Sequence, residues 1–167
     1  HSNSANLFTL PRAGYTSLST LACPGNAEAY RDDKVDPGQT DWRNLGEVSY
    51  SYQIMFGASR PGWGGAARGD TGGAVRVVLS DRSPVVLRAV RGEIIDPLEN
   101  SPNHAGSGQS VLLSDGSVTW SPSAELPDGD NLWLPRALEN LIRQVANRAQ
   151  LEGNEVPENS DDAFVGP

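Results

Sequence analysis

The chain has 167 residues, 37% hydrophobic and 20% charged, enough for one domain with a real core or two very small ones. Its formal net charge of −8 argues against a broad nucleic-acid footprint and against docking on anionic lipid through a basic patch. A single Cys excludes an intramolecular disulfide and a cysteine-rich zinc site, and no apolar run approaches the ~20 residues that cross a bilayer.

The first stretch has a Ser/Asn-rich start, then Ala5, Leu7, Phe8 and Leu10, and is stopped at Pro11. That pattern predicts the last turns of a helix, or a short helix capped at Ser2 or Ser4. Residues 16–25, TSLSTLACPG, predict a single turn ending at Cys23-Pro24, because a residue before Pro is steered away from helix. An irregular acidic loop follows over 25–46, with Glu28, Asp32, Asp33, Asp36 and Asp41. VSYSYQIMF (48–56) is rich in β-branched and aromatic residues and reads as a strand. Residues 57–74 hold seven Gly and form no regular element. Two further strands are expected over 74–81 and 83–90, joined by the turn-forming Asp81-Arg82-Ser83-Pro84.

SVLLSDGSVTW (110–120) carries the clearest local signal. Asp115-Gly116 between two strand-like runs favours a two-residue type I′ hairpin. In that register Leu113 faces Val118 and Val111 faces Trp120, all four on one buried side of the sheet. From Pro135 the period becomes helical, with Leu138, Leu141, Ile142, Val145 and Ala149 in phase and Gly153 at the exit. The acidic tail over 151–167 is expected to be a draped or loose extension. These elements predict one α+β domain over 1–167. It comprises a helix end and Cys-Pro turn (1–24), an antiparallel sheet of four to six strands within 48–120, and a helix near 135–150.

Candidate chemistry is sparse. Nucleophilic catalysis through Ser or Cys usually needs a His base, and only His1 and His104 exist. A triad of His104, Asp115 and a Ser is the hydrolase reading. The bland alternative is that His104 closes a loop by hydrogen-bonding a backbone group. The loop RPGWGGAARGDTGG lacks the following helix that phosphate-binding fingerprints need. Its Arg68-Gly69-Asp70 is too short a match to carry weight, whereas Trp63 could stack on a sugar, and Trp42 also lies in a loop. Asp128-Gly129-Asp130-Asn131 places oxygens at alternate positions, as calcium loops do, so Asp128, Asp130 and Asn131 are the candidate ligands for a structural Ca²⁺. No other cofactor is expected. The plain reading of such acidic loops is solvation.

The segment SPNHAGSGQSVLLSDGSVTW (101–120) resembles the prepilin-type processing-associated family, whose members look like type IV pilins and type II secretion pseudopilins. The likeness rests on His104, Gly106, Gly108, Gln109, Val111, Leu112, Asp115, Gly116, Val118 and Trp120, with ten residues between His104 and Asp115. Ser117 stands where a second His is common, which leaves the motif a single imidazole. The Cys23-Pro24 turn, the SYSYQ strand, LSDRSP and the closing EVPENSDDAFVGP also resemble that family, in the same order along nearly the whole chain.

The resemblance implies a basic leader, a cleavage site and a long apolar helix before His1, with the present chain as the head laid on the end of that helix. It implies an extracytoplasmic, non-enzymatic protein, membrane-anchored or filament-incorporated, whose partners are its own copies or other pilin-like subunits. His104, Gly106, Gly108, Gln109, Asp115 and Gly116 are then expected to be structural: Asp115-Gly116 turns the hairpin, the two earlier glycines allow close backbone approach, and His104 and Gln109 tie the loop to the hairpin. The alternatives are an extracellular carbohydrate- or ligand-binding module using Trp63, and a hydrolase using His104.

Overall fold

The computed structural model describes residues 3–54, 75–145, 151, 155–158 and 162–167, without the side chains of 141–145. The Gly-rich loop 57–74 with Trp63 and Arg68-Gly69-Asp70, the end of the 48–56 strand reading, and the expected helix end at Ala149 and Gly153 lie outside the described residues, as does His1.

Strands β1 (Tyr50–Gln53), β2 (Val77–Asp81), β3 (Gln109–Leu113), β4 (Val118–Ser121) and β5 (Val165–Gly166) form one antiparallel sheet in the order β4-β3-β2-β1-β5. Helices α1 (Ser4–Arg12), α2 (Pro84–Val90) and α3 (Arg136–Val145) complete a mixed α+β protein. Side chains alternate between the faces of a strand, so the pairings Ser51↔Ser80 and Ser80↔Val111 define one face. That face looks onto the larger core of Val77, Val85, Val111, Leu132, Trp133 and Val165. The opposite face carries Tyr50, Asp81, Ser110 and Trp120, and Phe8, Leu18, Trp42 and Val48 form a second, separate core.

Four local expectations are corrected. Residues 84–90 are a helix, not a strand. Ser83 caps it by accepting from the Val86 amide, and Pro84 occupies the first turn, where its missing N–H costs nothing. Val85 and Leu87 are buried, so tertiary packing overrides the β preference of Val-Val-Leu. Pro11 does not stop α1, which runs through it to Arg12.

The hairpin has the third difference. β3 and β4 pair as Val111↔Thr119 and Leu112↔Val118, one residue away from the two-residue-loop register. The Leu113 amide donates to Ser117 O and the Gly116 amide to Leu113 O, so Ser114-Asp115-Gly116 form a three-residue loop. Only Gly116 in it is left-handed (φ +85°), the arrangement of a type I turn followed by a glycine bulge. A one-residue slip turns every side chain over. Val111 stays buried, whereas Val118 and Trp120 are 67% and 49% exposed.

The end of the tail is not loose: residues 162–167 are buried, and β5 pairs with β1 at the sheet edge. α3 begins at Arg136, immediately after Pro135, whose carbonyl receives the Leu138 and Glu139 amides.

Candidate functional site

Asp81 ends β2 opposite Tyr50 of β1, and Ser110 of β3 pairs with Trp120 of β4. These four residues form a row across four strands on one face. Two loops close over it. The Cys23-Pro24 turn brings down Cys23, and a short 3-10 turn, Pro102–His104, brings His104.

His104 Nε2 lies 3.0 Å from Asp81 Oδ2 and 3.9 Å from Cys23 Sγ. Cys23 and Asp81 are buried, while the His104 side chain keeps 34% exposure. The Trp120 ring packs edge-on against the imidazole, with centroids 5.2 Å apart. Asp81 is held on both oxygens: Asn103 Nδ2 donates to Oδ1 at 3.0 Å, and the Ser110 amide donates to Oδ2 at 2.7 Å. Asn103 also donates to Ser49 O, which locks the 101–104 turn against the start of β1. Burial raises the Tyr50 phenol above its ordinary value, and the neighbouring Cys23 and Asp81 push the same way.

This geometry is not a nucleophilic relay. A Cys-His-Asp triad needs the carboxylate on one ring nitrogen and the thiol on the other, so that the imidazole can pass a proton between them. Here Asp81 and Cys23 face the same Nε2. Three different donors instead converge on one point, their ligand atoms all within 4.8 Å of one another. Among the described residues no other group of three His, Cys, Asp or Glu side chains comes together in this way.

The motif residues divide between this site and its supports. His104 pairs with the Asp81 carboxylate rather than with a backbone group. Gln109 joins the start of the 101–104 turn to the segment after β4: its Oε1 accepts from the Ser101 amide, and its Nε2 donates to Ser123 O. Gly108 combines a φ of +148° with a close approach, since a Cβ there would lie 2.5 Å from Ser121 O and 2.7 Å from the Trp120 ring. Gly106 has open space around it, so its left-handed backbone, not crowding, is what suits glycine. Asp115 belongs to the hairpin turn and accepts from the amide and hydroxyl of Ser117; those hydrogen bonds lower its pKa.

The calcium candidates sit in the 126–131 turn. Asp128 Oδ1 accepts from the Asp130 amide. Asp130 is buried, and its oxygens accept from Arg136 Nε and Nη2, the Asn131 amide and the Ala163 amide. Asn131 spans from Pro97 O to the Trp133 amide. Trp42 is buried against Phe8, with ring centroids 5.0 Å apart, and offers no sugar platform. Nothing in the sequence singles out Cys23 and Asp81 as a site, because their partner His104 lies far along the chain and no local spacing links the three.

No protein-family model, no curated protein and no solved structure matches this chain.

Proposed function

We propose that the chain is the non-enzymatic head domain of a pilin-like or pseudopilin-like protein outside the cytoplasm. It works through self-assembly or through contacts with pilin-like partners. The reading is supported above all by how α1 meets the sheet. Phe8 is buried against Trp42, and Asn3 Nδ2 donates both to Tyr52 O of β1 (2.7 Å) and to Gly166 O of β5 (2.9 Å). A helix anchored in this way couples any preceding segment rigidly to the head, as assembly through an N-terminal helix requires.

Exposed apolar side chains on the edge strand β4, Val118 and Trp120, offer contact area to a neighbour. The net charge of −8 requires that such packing be asymmetric or cation-assisted. The test is the mature N-terminus and intact mass of the protein from its native source, with cross-linking in the native envelope. An apolar helix upstream of His1 and cross-links to copies or pilin-like proteins are expected. A mature end at His1 with a monomeric, uncross-linked protein would overturn the reading and bring the binding-module alternative forward.

A further inference from the structure

We infer that Cys23, Asp81 and His104 bind one divalent transition-metal ion of the Zn²⁺ class, which pins the Cys-Pro turn and the 101–104 turn to the end of β2. The inference is independent of the pilin-like reading and rests on four features of the site.

The first is distance. With Zn–S of about 2.3 Å and Zn–N or Zn–O of about 2.0–2.1 Å, tetrahedral ligand atoms stand about 3.3–3.6 Å apart. The separations of 3.0 Å (Nε2 to Oδ2) and 3.9 Å (Sγ to Nε2) bracket that range, and with all three ligand atoms within 4.8 Å of one another, rotation of the Cys23 thiol toward Asp81 by about 1 Å seats the ion. The second is donor chemistry. Thiolate, imidazole and carboxylate together suit a borderline-soft ion and not calcium or magnesium, which take oxygen.

The third is charge. A thiolate and a carboxylate cancel a 2+ ion, so the bound site carries no net charge where Cys23 and Asp81 are 2% and 1% exposed. The fourth is the outer shell. Asp81 is oriented by the Asn103 side chain and the Ser110 amide before any ion arrives, the kind of support that metal-ligating carboxylates receive. Of the three side chains only His104 is partly exposed, so water reaches the cluster from its side.

The test uses the reduced, chelator-treated chain with Co²⁺ and Zn²⁺ as the probes. Because Cys23 is the only Cys in the chain, a thiolate-to-Co²⁺ charge-transfer band at one equivalent identifies this site in the unmodified protein. Tetrahedral-intensity visible bands and their displacement by Zn²⁺ are expected as well. His104→Ala should weaken Zn²⁺ binding by more than the ~10–100-fold that loss of an outer partner costs, and Cys23→Ser should abolish the charge-transfer band. Circular dichroism without metal checks that each variant is folded. If Cys23→Ser does not fold, the spectrum of the unmodified chain decides alone. Absence of the thiolate band at saturating Co²⁺, or Zn²⁺ affinity unchanged in folded His104→Ala, would overturn the inference.

Discussion

The backbone carbonyl of Asn103 occupies the space where a Cβ on Gly25 would have to lie. Two loops distant in sequence are therefore in backbone contact above the sheet, and Asn103 reaches past that contact to Ser49 O and Asp81 Oδ1. Gly25→Ala must push the loops apart and strain a buried network at the same time. The expected cost is about 3 kcal/mol, or failure to fold, measured by urea denaturation. Gly38→Ala is the control, since it meets no neighbour and should lose only about 1 kcal/mol through its left-handed backbone (φ +85°). Equal, small losses at both positions would show that the two loops are not seated on each other.

The hairpin register makes a second prediction. Val111 is buried in the larger core and Val118 is exposed on the other face. Val111→Ala should cost about 2 kcal/mol, and Val118→Ala should stay within about 0.5 kcal/mol. The two-residue-loop register would bury both, so comparable losses in thermal melts would restore it.

Much of this architecture is legible in residue patterns, and the gaps have physical causes. Alternation and β-branched content place β1, β2, β3 and β4, and the apolar period after Pro135 places α3. At 83–90 the same Ser-Pro that suggests a turn is also a helix cap and first-turn residue. What decides between them is the burial of Val85 and Leu87, a tertiary fact. Asp115-Gly116 is compatible with two hairpin loops that differ by one residue, and the strand pairing with the Leu113–Ser117 hydrogen bond separates them. The Cys23–Asp81–His104 cluster was invisible for a different reason. Its members come from a turn, a strand end and a loop, and meet only once the sheet has formed.

Asp162 gives the protein a pH signature. Burial raises its carboxyl above the ordinary 3.8, against the amides of Glu158 and Arg136 that donate to it, and nearby Asp130 adds to the rise. The native state therefore holds this proton more tightly than the unfolded chain does. The resulting stability is fully present below pH 3.8 and is lost as the pH rises through the native pKa. Asp162→Asn cannot titrate. The stability of the unmodified chain relative to this variant should fall in denaturant titrations as the pH rises above 3.8 and through the raised native pKa. Parallel pH profiles for the two proteins would show that Asp162 titrates normally.

Asp130 is the pivot of the 126–131 turn. It joins Arg136 at the start of α3 to the Ala163 amide beside β5, and its side chain is fully buried. Asp130→Ala leaves the Ala163 and Asn131 amides without their acceptor and frees Arg136. A loss of about 2–4 kcal/mol is expected, read as a lower urea midpoint. The same hydrogen bonds bear on calcium. An ion at Asp128, Asp130 and Asn131 would have to take oxygens that now accept from Arg136 and from the Asn131, Ala163 and Trp133 amides. Saturating Ca²⁺ should therefore leave the melting temperature unchanged. A rise that Asp128→Ala abolishes would instead establish a calcium site in this turn and require Asp130 to exchange Arg136 for the ion.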